Sequence, residues 1–209
     1  MKVLVIGTGN MGAGFVKQLA AAGHQVSVTA REQVKAHALA QQFGAVAVAA
    51  AGSAAAVDAI VLATPYAEAV FALRGVGDLT GKTVIDITNP LTPDYTGLTL
   101  GHNTSAAEEI AKAVPGAEVV KGFNTVFAQL LADGADFGGG QKVTVFVASD
   151  SDRAKQTARA LAESMGFQVM DAGGLQNARY LEPVAGLNIY FGYGAGLGTG
   201  IAPTWIHKN

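Results

Sequence analysis

The 209 residues carry 14 Lys and Arg against 16 Asp and Glu, a formal net charge of −2, with half of the chain apolar and 14% charged. Charge so sparse and balanced gives no pull toward nucleic acid or an anionic membrane, and leaves small molecules as the expected partners. Cysteine is absent, which excludes disulfides, thiolate nucleophiles and Cys-based metal sites.

Lys2 to Ile6 is a β-branched apolar run, the pattern of a parallel strand buried on both faces. It is too short for the core of a signal peptide, so a cytoplasmic protein is expected. Gly7-Thr8-Gly9-Asn10-Met11-Gly12 follows, and Phe15 to Ala22 reads as a helix closed by Gly23. Gln25 to Thr29 is the second strand, Glu32 to Phe43 the second helix with Gly44 as its stop, and Ala45 to Ala49 a third strand. The Ala-rich Gly52 to Val57 stands where a crossover needs a short helix. Ala59 to Ala63 and Thr83 to Ile87 are strands four and five, with a helix from Tyr66 to Leu73 between them.

Ser105-Ala106-Ala107-Glu108 has capping-box spacing and opens a helix to Val114, before Pro115. Glu118 to Lys121 and Val143 to Ala148 are strands six and seven; Asp152 to Met165 is a helix, Gln168 to Met170 a short strand, and a last helix begins near Leu175. The alternation runs on without a linker or charge block. It predicts one doubly wound, Rossmann-type α/β domain over residues 1–209 with a mainly parallel sheet. Residues 175–209 form a C-terminal helical extension and Gly-rich tail that closes a pocket or a dimer interface. Pro183 to Trp205 has no Asp, Glu, Lys or Arg and is long enough to span a bilayer. Six glycines within it lower both hydrophobicity and helix stability, so a buried or interface segment is expected instead.

The glycine fingerprint leaves a strand and opens a helix, as dinucleotide binding requires. Gly7 permits the tight turn, Gly9 lets the backbone approach a pyrophosphate, and Gly12 allows close helix–strand packing. The second strand ends in Thr29-Ala30-Arg31, with no carboxylate for the ribose hydroxyls of NAD. A 2′-phosphate suits Arg31, with Lys35 one helical turn further on, and the cofactor is expected to be NADP (NADPH). Ligands of open α/β sheets bind outside the carboxyl ends of the strands. Ala63-Thr64-Pro65-Tyr66, Thr88-Asn89-Pro90-Leu91 and Gly122-Phe123-Asn124-Thr125 stand there, with hydroxyl and amide groups suited to ribose and nicotinamide.

No acid–base constellation stands out, and His24, His37, His102 and His207 are scattered; His102, in the loop after the fifth strand, has the best claim among them. Carbonyl or imine reduction usually needs a positioned proton donor, whereas hydride transfer between two ring cofactors needs mainly stacking and exclusion of water. The missing donors favour the second. An NADPH-dependent reductase of a small imine or carbonyl, and a non-enzymatic NADP-sensing module, are the alternatives.

Together with the fingerprint, Thr29-Ala30-Arg31 and Ala63-Thr64-Pro65-Tyr66, the late segments Asp171-Ala172-Gly173-Gly174-Leu175 and Leu175-Gln176-Asn177-Ala178-Arg179 through Leu181-Glu182-Pro183 make the chain resemble the NADPH-dependent deazaflavin (coenzyme F-420) reductase family. The resemblance implies hydride exchange between nicotinamide C4 and deazaflavin C5, in a homodimer; no metal is expected, since the histidines lack metal-ligand spacing. It places Thr8, Asn10 and Met11 on the pyrophosphate, Ala30 and Arg31 on the 2′-phosphate, and Thr64, Pro65 and Asn124 on the nicotinamide side. Similar domains feed electrons to flavin in metalloreductases, so FMN or FAD stands beside the deazaflavin as co-substrate.

Overall fold

The computed structural model describes residues 1–206 and 208. Six strands, β1 (Lys2–Ile6), β2 (Gln25–Thr29), β3 (Val46–Ala47), β4 (Ala59–Leu62), β5 (Thr83–Asp86) and β6 (Glu118–Lys121), pair in parallel in the order β3-β2-β1-β4-β5-β6. Their apolar runs exist because both faces are covered. Val3 and Val5 enter one core with Phe15, Val16 and Leu19, while Leu4 and Ile6 enter the other with Leu73 and Ile110. Each such side chain stabilises the fold by about 1.5–3 kcal/mol when removed from water.

Helices α1 (Asn10–Ala21), α2 (Gln33–Phe43), α3 (Tyr66–Gly75) and α4 (Ala106–Ala113) make the crossovers. After α4 and β6 come α5 (Ala128–Asp133), a hairpin of β7 (Asp136–Gly138) and β8 (Gln141–Lys142), then β9 (Thr144–Val147), α6 (Asp152–Ser164) and β10 (Gln168–Asp171). β9 and β10 pair in parallel, and reciprocal backbone bonds of 2.9 and 3.0 Å between Lys121 and Ala148 attach β9 to the end of β6. A 3-10 turn, Leu175–Asn177, leads into α7 (Ala178–Ile189) and one π turn, Tyr190–Gly194. The tail then returns over β9, where Trp205 meets Phe146 edge-on at 5.2 Å. Among the described residues no helix is long and apolar enough to cross a membrane.

The sheet reverses direction at β1. The chain runs outward to β2 and β3 and then places β4 on the other side of β1, which opens a crevice at the carboxyl ends of β1 and β4.

Several boundaries differ from the sequence expectation for physical reasons. α1 begins at Asn10, five residues before Phe15, because Gly12 and Gly14 are helical despite poor propensity. Ala51–Ala56 runs through turns rather than a helix, with Gly52 at φ +76° and Ala54 buried against Leu73 and Val76. The third strand shrinks to Val46–Ala47. α5 and the β7–β8 hairpin have no counterpart in the sequence reading. The capping box is half realised: Ser105 Oγ accepts from the Glu108 N–H at 3.2 Å, but the Glu108 carboxylate accepts from the Ser105 hydroxyl at 2.7 Å rather than from its backbone N–H, and from Arg179 at 2.6 and 2.9 Å, which ties α4 to α7. That pairing holds the Glu108 carboxyl below the usual carboxylate range.

Candidate functional site

The turn between β1 and α1 is built by close backbone contact. Gly7 has φ +117°, and a Cβ on it would lie 2.2 Å from the Ala63 carbonyl oxygen; a Cβ on Gly12 would lie 2.1 Å from the Gly7 carbonyl oxygen. Neither position tolerates a side chain unless backbone moves. Gly9 is different. It is the exposed N-cap of α1, and a Cβ there would meet nothing within 4 Å. No acidic residue occupies the first turn of α1 and no side chain caps it, so the helix N-terminus is free to face an anion.

Above this turn lies a cleft of about 530 Å³. Gly7, Thr8 and Gly9 form its floor, Ala30, Arg31 and Lys35 one wall, and Ala63, Thr64 and Pro65 the other, so nine of the expected residues meet here. Phe71 and Glu68 of α3 close the far side, and neither was singled out by the sequence. Phe71 is 79% exposed, an unusual setting for a phenylalanine that borders a cleft. Arg31 is exposed, and none of the described residues pairs with its guanidinium. Lys35 is held by Glu32 at 2.7 Å, and this contact lowers the Glu32 carboxyl below its ordinary range.

Other expected residues lie apart from the cleft. Gly12 is buried within the turn, and Met11 packs against the α1 side of the core. Asn10 lines a separate depression with Lys17 and Gln129. Tyr66 packs on the α3–α4 core rather than into the cleft. His24 bonds Ser164 and the N-terminal amine, His102 is exposed in its loop with φ 55°, and His207 lies outside the described residues.

Asn89, Pro90 and Asn124 gather at the ends of β5 and β6. Asn89 Nδ2 donates to the Asn124 carbonyl at 2.9 Å, and Asn124 Nδ2 donates to Asn89 Oδ1 and to the Leu181 carbonyl, each at 3.0 Å. Phe123, fully buried between Phe15 and Phe167, takes φ 60° to turn the chain toward Asn124. For a bulky residue that is strained backbone. Among the described residues, Thr64 Oγ1, Thr88 Oγ1, Asn124 Oδ1 and Thr125 Oγ1 are buried without a hydrogen-bond partner.

Behind these asparagines stands a feature that residue-by-residue reading passed over. Lys121 is fully buried; its ammonium donates to the Thr88 carbonyl at 2.7 Å and forms ion pairs with Asp86 Oδ2 at 2.7 Å and Glu182 Oε1 at 2.8 Å. Asp86 Oδ1 accepts from the Thr88 N–H at 2.8 Å, while Glu182 accepts from the Ala106 and Ala107 N–H groups at 2.9 and 3.2 Å. Burial pushes the Glu182 carboxyl up, against the pull of Lys121. One signal was present: two apolar strands, TVID and EVVK, end in opposite charges, and the register places Asp86 beside Lys121.

Comparison with known proteins adds a chemical context. Residues 2–90 match the family model described as NADP oxidoreductase coenzyme F420-dependent. The F420-dependent NADP reductase of Methanothermobacter marburgensis is 31% identical over 90% of this chain and 91% of its own. Metalloreductase STEAP3 of Rattus norvegicus is 29% identical over 88% of this chain, which spans 36% of that relative's length. Among solved structures, one from Arthrobacter sp. FB24 described as a candidate F420-dependent NADP reductase superposes with TM-score 0.82 at 31% identity, covering 96% of both chains. An imine reductase from Pseudomonas sp. superposes with TM-score 0.67 at 24% identity, over 93% of this chain and 63% of that one, a likeness of fold alone.

Proposed function

The chain belongs to the coenzyme F420-dependent NADP oxidoreductase family, and from that premise we propose that it transfers a hydride between C4 of the NADP nicotinamide and C5 of a deazaflavin. Family membership makes it an NADP-dependent oxidoreductase and sets aside a module that only senses NADP. The observation that carries the cofactor assignment is the open space over Gly9 at the N-terminus of α1, with unpaired Arg31 on the adjoining wall.

The residues fit NADP. Backbone N–H groups of Thr8, Gly9, Asn10 and Met11 would hold the pyrophosphate, while Gly7 and Gly12 keep the turn in shape. Arg31 beside Ala30 would take the 2′-phosphate, joined by Lys35 when its ammonium leaves Glu32. Ala63, Thr64 and Pro65, with Asn89, Pro90 and Asn124, would frame the nicotinamide; Tyr66 opens α3 behind them. When bound, NADPH supplies the hydride, and the deazaflavin takes it up with one proton from solvent. The chain's part is to orient two rings and keep water out, a task that asks for no positioned proton donor.

Stopped-flow mixing of the protein and NADPH with deazaflavin, FMN or FAD tests this. NADPH oxidation by deazaflavin is expected; oxidation by none of the three overturns the proposal, and oxidation by FMN or FAD alone replaces its acceptor. In the same experiment Arg31→Ala is expected to weaken NADPH roughly tenfold to a hundredfold, the scale of a charged hydrogen bond, and to leave NADH unchanged. Equal losses for both would remove the 2′-phosphate assignment.

The same reading takes a second copy of the chain as the partner of the uncharged C-terminal face. Leu187, Tyr190, Tyr193 and Leu197 are each more than half exposed there. Sedimentation equilibrium should give twice the 21.2 kDa monomer mass, and a monomer at micromolar concentration would count against the dimer.

A further inference from the structure

We infer that the buried Asp86–Lys121–Glu182 cluster fixes the nicotinamide end of the crevice, with Lys121 and Glu182 as positioning residues. The inference rests on the cofactor reading above. It starts from connectivity. Lys121 clamps the Thr88 carbonyl, and Asn89 is the next residue. Glu182 anchors α7, and the preceding Leu181 carbonyl accepts from Asn124. Lys121 itself ends β6, three residues before Asn124. Both asparagines are therefore held by groups one to three residues from a member of the cluster, and Glu182 extends the hold to the start of α4 through Ala106 and Ala107.

Stability does not explain the arrangement, because apolar residues of similar volume commonly serve at least as well as a buried ion pair. What one buried lysine shared by two carboxylates and a carbonyl adds is a unique geometry: shifting any one segment breaks a contact of 2.7–2.8 Å. The segments so fixed carry Thr88 Oγ1, Asn124 Oδ1 and Thr125 Oγ1, all buried and all without a partner among the described residues. Buried polar atoms are rarely left unpaired, and these suit a ligand amide. Phe123 points the same way, since a fully buried phenylalanine at φ 60° persists only where its surroundings over-determine it.

Glu182→Gln and Asp86→Asn test the inference, with NADPH alone as the probe. Both substitutions keep side-chain volume and leave acceptors for the Ala106 and Thr88 N–H groups. NADPH affinity should stay within about twofold of the parent, because the phosphates are gripped at the other end of the cleft. The fluorescence lifetime of the bound dihydronicotinamide should shorten toward that of free NADPH. Single-turnover transfer to deazaflavin should fall roughly tenfold to a hundredfold, the effect of a displacement on the order of 1 Å. Folded variants with an unchanged lifetime and transfer rate overturn the inference, as do losses of affinity and rate that merely follow a lowered Tm. If Glu182→Gln fails to fold, Asp86→Asn carries the same readouts. A parent protein that binds NADPH with a long lifetime yet reduces no acceptor would sink the proposed reaction, while the lifetime comparison would still decide the role of the cluster.

Discussion

Replacing Lys121 by Met is expected to destabilise the protein by about 3–5 kcal/mol, the cost of leaving buried carboxylates without their cation. Asp86 and Glu182 are both within 2.8 Å of the ammonium, and all three side chains are at most 2% exposed, so no water replaces the lost charge. The deficit should depend on pH. Burial already raises the Glu182 carboxyl in the native state, and removing Lys121, the main opposing influence, raises it further. A raised folded-state value means that the native protein holds the proton more tightly than the unfolded chain. Its contribution to stability is complete below the unfolded value and is lost as pH rises through the folded one. The Lys121→Met deficit should therefore shrink as pH falls from 8 toward 5, read as the difference between urea midpoints. Adding Asp86→Asn and Glu182→Gln removes both charges but keeps an acceptor for the Thr88 N–H and for one of the Ala106 and Ala107 N–H groups, and should restore at least half of the loss. A Lys121→Met protein within about 1 kcal/mol of the parent would show that the ion cluster is not needed even for folding.

The contrast between this cluster and the cleft above the β1–α1 turn shows what a sequence displays. Buried parallel strands must be apolar on both faces, so KVLVI, AIVL and TVID stand out as runs, and a fingerprint between the first strand and its helix can be placed by eye. Thr8, Arg31 and Thr64 then follow as neighbours of strand ends, and they do line one cleft. Asp86 and Lys121 are also at strand ends, where a lone charge normally reads as solvated. Only the pairing register of β5 with β6, and the return of α7 some 60 residues later, bring them together with Glu182. That information is tertiary. The start of α1 was hidden for a related reason: helix propensity argues against Gly12 and Gly14, but a Cβ on Gly12 would run into backbone and one on Gly14 would crowd a neighbouring side chain. A Cβ on Gly14 would stand 3.0 Å from Leu131, a residue of the short α5 helix that was itself not foreseen.

Gly12→Ala and Gly9→Ala should separate the glycines that build the turn from the one proposed to face the cofactor. A Cβ at Gly12 would lie 2.1 Å from the Gly7 carbonyl oxygen, and the contact is with backbone, so no side-chain rotation can relieve it. Either α1 moves away from β1 or the turn opens, and both separate packed surfaces of the central core. The expected cost is about 3 kcal/mol, at the upper end for overpacking, with NADPH affinity reduced at least tenfold because the turn is displaced. At Gly9 the backbone is extended, with φ −71° and ψ −176°, which alanine adopts without strain, and the added methyl would meet nothing within 4 Å. Stability should fall by no more than about 1 kcal/mol, the penalty for a poor N-cap. NADPH affinity should nevertheless drop at least tenfold, since the methyl would occupy the space assigned to the pyrophosphate. Thermal unfolding and isothermal titration with NADPH on the two variants measure the four quantities. If Gly9→Ala binds NADPH as tightly as the parent, the pyrophosphate does not lie over Gly9, and the cofactor's path along the cleft has to be redrawn.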